Sequence, residues 1–201
     1  MKKVAEVDRS EHKALIRAAE DHRNELVEHD GEFLPKSVIM LMSALATEQD
    51  AMMRFEIYGT AILHCRSAGK RAAAVTLAHA LCQESHDIAS LTIYSEALAE
   101  NGEVETGLLH AKEALRLAIQ EQTGVNYTAE NLVWRAINTG STESVNEALE
   151  TLADSTELPR KGDTPLEADW VDAAEALGAD RELISWGRAI AERKPVVTRR
   201  G

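Results

Sequence analysis

Aromatic residues make up only 4 % of this 201-residue chain, and there are two cysteines and four prolines. So few aromatics argue against a β-sandwich, whose strands favour aromatic and β-branched residues. The two thiols, Cys65 and Cys82, fall inside helical patterns and are expected to be buried and free rather than bridged. No run of apolar residues approaches the length of a membrane helix, since the richest, Ser37 to Ala46, ends after about ten residues at Thr47-Glu48-Gln49-Asp50. The start, Met1-Lys2-Lys3, is followed by charge rather than an apolar segment and does not read as a signal peptide. A cytoplasmic protein is the expectation, which leaves the glycosylation-like Asn126-Tyr127-Thr128 without meaning.

Basic charge is also scarce, with 22 Lys and Arg against 34 Asp and Glu for a net charge of -12. Such a field repels phosphate backbones and anionic lipids, so neither nucleic acid nor membrane is an expected partner. Neither Gly-x-Gly-x-x-Gly nor Gly-x-x-x-x-Gly-Lys-Ser/Thr occurs, so no backbone loop is set to surround a phosphate. There is no His-Glu-x-x-His and no Cys-x-x-Cys, and no cofactor is expected. Ser-x-x-Lys occurs at Ser10-Glu11-His12-Lys13 and Ser67-Ala68-Gly69-Lys70 without its partner motifs, and reads as a cap and a turn.

What the chain has is helical periodicity around regularly placed glycines. Ile88, Leu91, Ser95 and Leu98 share one face before Asn101-Gly102, and Val104, Gly107, Leu108, Ala111, Ala114, Leu115 and Ala118 form a stripe of small residues after it. Two such helices joined by a short turn make a hairpin whose apolar face needs a neighbour. Gly31, Gly69, Gly102, Gly140 and Gly178 are spaced 38, 33, 38 and 38 residues apart. That spacing predicts five hairpins: 9–30 with 35–49, 51–67 with 70–85, 88–100 with 103–121, 128–139 with 142–153, and 165–177 with 181–193. Ser10, Thr128, Ser141 and Asp180 are the expected N-caps, while Pro35 and Thr164-Pro165 suit helix starts. The segment Leu158-Pro159-Arg160-Lys161-Gly162-Asp163 reads as an exposed loop and 194–201 as a frayed tail. No β-sheet is expected.

Residues 88–119 resemble a tetratricopeptide repeat (TPR), with Leu91, Tyr94 beside Ser95, Leu98, Gly102, Gly107, Leu108, Ala111 and the pair Ala114-Leu115 matching the family plan. Ile119 stands in place of the usual closing proline. Residues 51–85 follow a similar plan through Tyr58, Ile62, Gly69, Ala74 and Ala78, so about a third of the chain carries the likeness. The resemblance implies a right-handed superhelical stack of about ten helices, an all-α TPR-like solenoid. It also implies a concave surface lined by the first helix of each hairpin, which in that family binds proteins or peptides. The cationic clamp that some members use for carboxylate tails is absent: Gly59, Leu63, Thr92, Glu96 and Glu100 fall on the corresponding faces.

Aligned on the turn glycines, Arg66, Glu96, Glu100, Glu130, Asn131, Trp134, Asn138, Asp169 and Asp172 are expected to face one groove. Most are acidic, which favours a basic protein or peptide, with Trp134 as an anchor or an inter-hairpin contact. Trp170 follows the stripe of Leu166, Ala173, Ala174 and Leu177 and is expected in the core, whereas Trp186 fits either place. The leading expectation is therefore a protein- or peptide-binding adaptor or scaffold without catalysis, and two other readings stand beside it. His79, Cys82 and His86, with His64-Cys65 nearby in sequence, have helical spacing suited to zinc and would serve a helical metal enzyme. Met40, Met42, Met52 and Met53 would either fill a core or mark a self-associating surface in 38–53. His22, Glu25 and His29 are expected to share a helix as solvated or packing residues.

Overall fold

The computed structural model describes residues 10–156 and 166–192. They form ten helices and one small sheet: α1 (Ser10–Glu20), β1 (Leu26–His29), β2 (Glu32–Pro35), α2 (Lys36–Leu45), α3 (Ala51–Ser67), α4 (Arg71–Ser85), α5 (Ile88–Glu100), α6 (Val104–Glu121), α7 (Val125–Thr139), α8 (Thr142–Thr156), α9 (Val171–Ala176) and α10 (Arg181–Ala191). The fold is helical, as the periodicity predicts. No described helix is long and apolar enough to cross a membrane. Thr164-Pro165, the loop around Leu158–Asp163 and the tail 194–201 lie outside the described residues. The chain divides into two compact units, Met1–Glu84 and Ser85–Gly201.

The first unit corrects two expectations, the absence of a sheet and the helix over 9–30. After α1 the chain makes an antiparallel hairpin in which Val27 faces Leu34 and Glu28 faces Phe33. Asp30 and Gly31, at φ 52° and 85°, take the two left-handed positions of a tight hairpin turn. Asp-Gly between two short apolar segments, Leu26-Val27 and Phe33-Leu34, favours that turn over a helix end. Leu34 is buried, while Leu26 and Phe33 remain 48 % and 56 % exposed. His22 and His29 consequently do not share a helix: His22 lies in the turn after α1, and His29 in β1.

Val38 and Leu41 from α2, Ile57, Ala61, Ile62 and Cys65 from α3, and Ala74, Ala78 and Leu81 from α4 are buried core residues of this unit. Asp50 caps α3 by accepting from the Met53 N–H at 3.0 Å. Pro35 serves as the N-cap residue of α2 rather than entering its first turn. Arg54 donates to the Leu45 and Glu48 carbonyls and, through Nε and Nη2, to both carboxylate oxygens of Glu84, which also accepts from the Tyr58 hydroxyl. One guanidinium thus ties the α2–α3 connection to the end of α4.

In the second unit α5 pairs with α6, α7 with α8, and α9 with α10, while α7 also packs on α5 and α6 and α10 on α8. Asp87 and Ser90 form a reciprocal capping box at the start of α5. A Cβ at Gly107 would stand 2.8 Å from the Ser95 carbonyl oxygen, so α6 crosses α5 at a separation only glycine allows. Leu108, Leu115, Val125, Leu132, Val133, Leu149, Leu152, Trp170 and Leu183 belong to one continuous core.

Three boundaries here differ from expectation. α7 begins at Val125, so Thr128 is not its N-cap; left-handed Gln122 and Gly124 end one helix and open the next, and the Thr128 hydroxyl donates to the Gly124 carbonyl within the helix. α8 runs on through Asp154 to Thr156. Among the described residues the expected helix 165–177 is reduced to Val171–Ala176: Ala168 is left-handed at φ 54°, which interrupts the helix, and the Glu130 carboxylate accepts the N–H groups of Glu167 and Ala168 at that point. Ser141 and Asp180 do cap their helices, accepting from Ser144 and from Glu182 and Leu183.

Candidate functional site

The residues expected to line a groove gather around α7. Helical steps put Glu130, Trp134 and Asn138 in one row, with Asn131 beside it. Asn131 donates to Glu96 of α5 at 3.1 Å and accepts from the buried Ser95 hydroxyl at 3.2 Å. On the other side the Trp134 indole N–H donates to Asp169 at 3.2 Å, in the turn before α9. Trp134 is half-buried and packs partly against the core, so it is neither fully inside nor a free-standing anchor. Glu100 follows one turn after Glu96, while Asn138 and Asp172 are exposed on α7 and α9. Arg66 belongs to the other unit, half-buried in the last turn of α3.

Glu130 has a structural task that the sequence does not announce. Its Oε1 accepts the N–H groups of Glu167 and Ala168, each at 2.9 Å, and the Trp170 indole N–H at 3.4 Å. Burial raises its pKa, and those hydrogen bonds offset only part of the rise. Trp170 is fully buried and stacks on the half-buried Trp186 with ring centroids 6.4 Å apart. The strip from Glu96 to Asp169 therefore rests on a fixed base. An indole edged by carboxylates attracts cationic side chains through both ring and charge.

Elsewhere the structure separates residues that the sequence grouped. Cys82 is buried, whereas His79 is exposed against Gln83, and His86 is exposed beyond the end of α4. Among the described residues no three His, Cys, Asp or Glu side chains come together as a metal would require. Both thiols are free and buried, and burial raises the Cys65 pKa to about 11. Of the methionines, Met53 is buried, Met40 half-buried, and Met42 and Met52 exposed.

Two histidines of the first unit have partners that lie far away in sequence. His12 Nε2 meets Glu56 at 2.7 Å; His64 has Glu20 at 2.8 Å on Nε2 and the Ser37 hydroxyl at 2.9 Å on Nδ1. Ser37, His64 and Glu20 are the residue types of a nucleophilic triad, but Ser37 is 0 % exposed and no acyl carbon can reach it. No protein-family model and no curated protein matches the chain.

Proposed function

We propose that this chain is a cytoplasmic protein- or peptide-binding adaptor without catalysis of its own, in which α5 to α10 form a divergent TPR-like array. The observation that carries the reading is the strip joined by Asn131–Glu96 and Trp134–Asp169, which sets one large aromatic side chain among carboxylates. Its partner is a basic segment with an apolar side chain: the apolar group packs on Trp134, and Lys or Arg residues meet Glu96, Glu100 and Asp169. Charge steers the encounter, and the indole supplies most of the affinity. A net charge of -12 extends that attraction beyond the strip.

The test is titration of basic, leucine-containing peptides into the folded parent chain, a Glu96→Lys/Glu100→Lys variant and a Trp134→Ala variant. Each change is expected to weaken binding by roughly tenfold or more, the loss typical of a central contact residue. The charge-reversed variant should also lose most of its salt dependence. Equal affinity of all three proteins at low salt would remove this strip as the binding surface.

A further inference from the structure

The way α1 is attached to the first unit sets it apart. Its buried residues are His12 and Ala19, with Leu15 and Ile16 only half-buried. α1 packs on α2 and more lightly on α3, and with so little apolar burial its attachment to α3 rests largely on polar contacts. These are reciprocal: α1 offers His12 and Glu20, and α3 offers Glu56 and His64, each pair 44 positions apart. The equal offset lays α1 parallel to α3 with a histidine–carboxylate bond towards each end.

The two ends respond differently to a proton. At His64 the Ser37 hydroxyl can donate to a bare Nδ1 or turn and accept from a protonated one, while Glu20 accepts from Nε2 in both states. At His12, Nε2–H is committed to Glu56, and Nδ1 is enclosed with no hydrogen-bond partner. A second proton there buries an N–H with no acceptor. The Glu56 side chain is 50 % exposed, so its attraction for a charged ring is screened and worth a factor of about five at most. The unsatisfied N–H costs about ten- to a hundredfold. The other charges near α1 do not alter this balance: Arg23 pairs with Glu20, Lys36 of α2 with Glu25, and Arg54 of α3 with Glu84, while Glu11 and Lys13 beside His12 are exposed.

We propose that α1 is an acid-operated flap: protonation of His12 frees its N-terminal turns from α3, and the Glu20–His64–Ser37 link holds the other end as the hinge. The surface uncovered belongs to α2 and α3 beneath His12.

Amide hydrogen exchange of the full chain at about pH 7.5 and about pH 5.5, the range in which imidazoles ordinarily gain a proton, tests this. After correction for intrinsic rates, protection at Ala14, Leu15 and Ile16 is expected to fall about two- to sevenfold in acid, with Ala18 to Glu20 and α3 unchanged. His12→Gln, which cannot take the charge, should abolish the response. Should that variant fail to dock α1 at all, the loss of protection in the parent must still follow the His12 ring titration measured by NMR. An unchanged α1, a loss shared equally by both ends, or a transition that does not track His12 overturns the proposal.

Discussion

Gly107→Ala and Gly59→Ala replace glycine by the best helix former, both inside helices and neither at a left-handed residue. On propensity alone each should stabilise by roughly 0.8–1 kcal/mol. The surroundings separate them. At Gly59 a Cβ meets nothing within 4 Å, whereas at Gly107 it lies 2.8 Å from the Ser95 carbonyl oxygen and 3.3 Å from the Ala99 nitrogen. Those are backbone atoms of α5, so no side-chain rotation relieves the contact, and α6 has to move off by several tenths of an ångström. Overpacking of this kind costs about 1–3 kcal/mol. With the propensity gain set against it, Gly107→Ala is expected to lose about 1 kcal/mol, the middle of a range of about 0–2, lowering Tm by about 2–4 °C in a chain of this size. Gly59→Ala should instead gain about 0.4–1 kcal/mol. All three tryptophans, Trp134, Trp170 and Trp186, lie in the second unit, so their fluorescence follows the unit holding Gly107, while far-UV circular dichroism follows both. A Gly107→Ala protein that melts at or above the parent temperature would show that α5 and α6 are not in such close contact.

Gly187→Ala should be more damaging, since its Cβ would lie 2.5 Å from the buried Trp170 ring and 2.8 Å from a Val171 methyl; a loss of about 2 kcal/mol or more is expected in denaturant unfolding, and an unchanged midpoint would contradict that packing. Acid should weaken the first unit through Glu84, whose pKa is lowered chiefly by its hydrogen bonds with Arg54. The sign follows from that depression: the stabilisation is present above the unfolded carboxyl value of about 4.3 and disappears as pH falls through the folded value. The stability gap between parent and Glu84→Gln should therefore close in acid, and a gap that stays constant with pH would refute the coupling.

The turn glycines were legible because a left-handed residue is a local demand. Gly31, Gly69, Gly102, Gly140 and Gly178 all have positive φ, between 70° and 92°. What a glycine does not specify is the element on either side of it. Gly31 has the same φ sign as the rest yet turns a strand pair, and the signal that distinguishes it is Asp30 before it, with the short apolar pairs Leu26-Val27 and Phe33-Leu34 placed symmetrically around it. A regular spacing of glycines obscured that signal. The small-residue stripe was equally legible: Gly107, Ala111, Ala114 and Ala118 are all buried against neighbouring helices.

Helical periodicity assigns residues to a face but does not set the register between two helices. The row Glu130, Trp134 and Asn138 could be read from four-residue steps, and so could the core position of Trp170. That Asp169 would reach Trp134 could not, because it depends on the left-handed turn at Ala168, bonded to Glu130, that replaces the helix predicted there. The same limit hid the attachment of α1. His12 and Glu20 read as ordinary polar positions on a short helix, and Glu56 and His64 likewise on α3; only the parallel alignment of the two helices turns them into reciprocal pairs. Contacts that depend on register join residues distant in sequence, and here they include both the strip proposed for binding and the histidine proposed to sense acid.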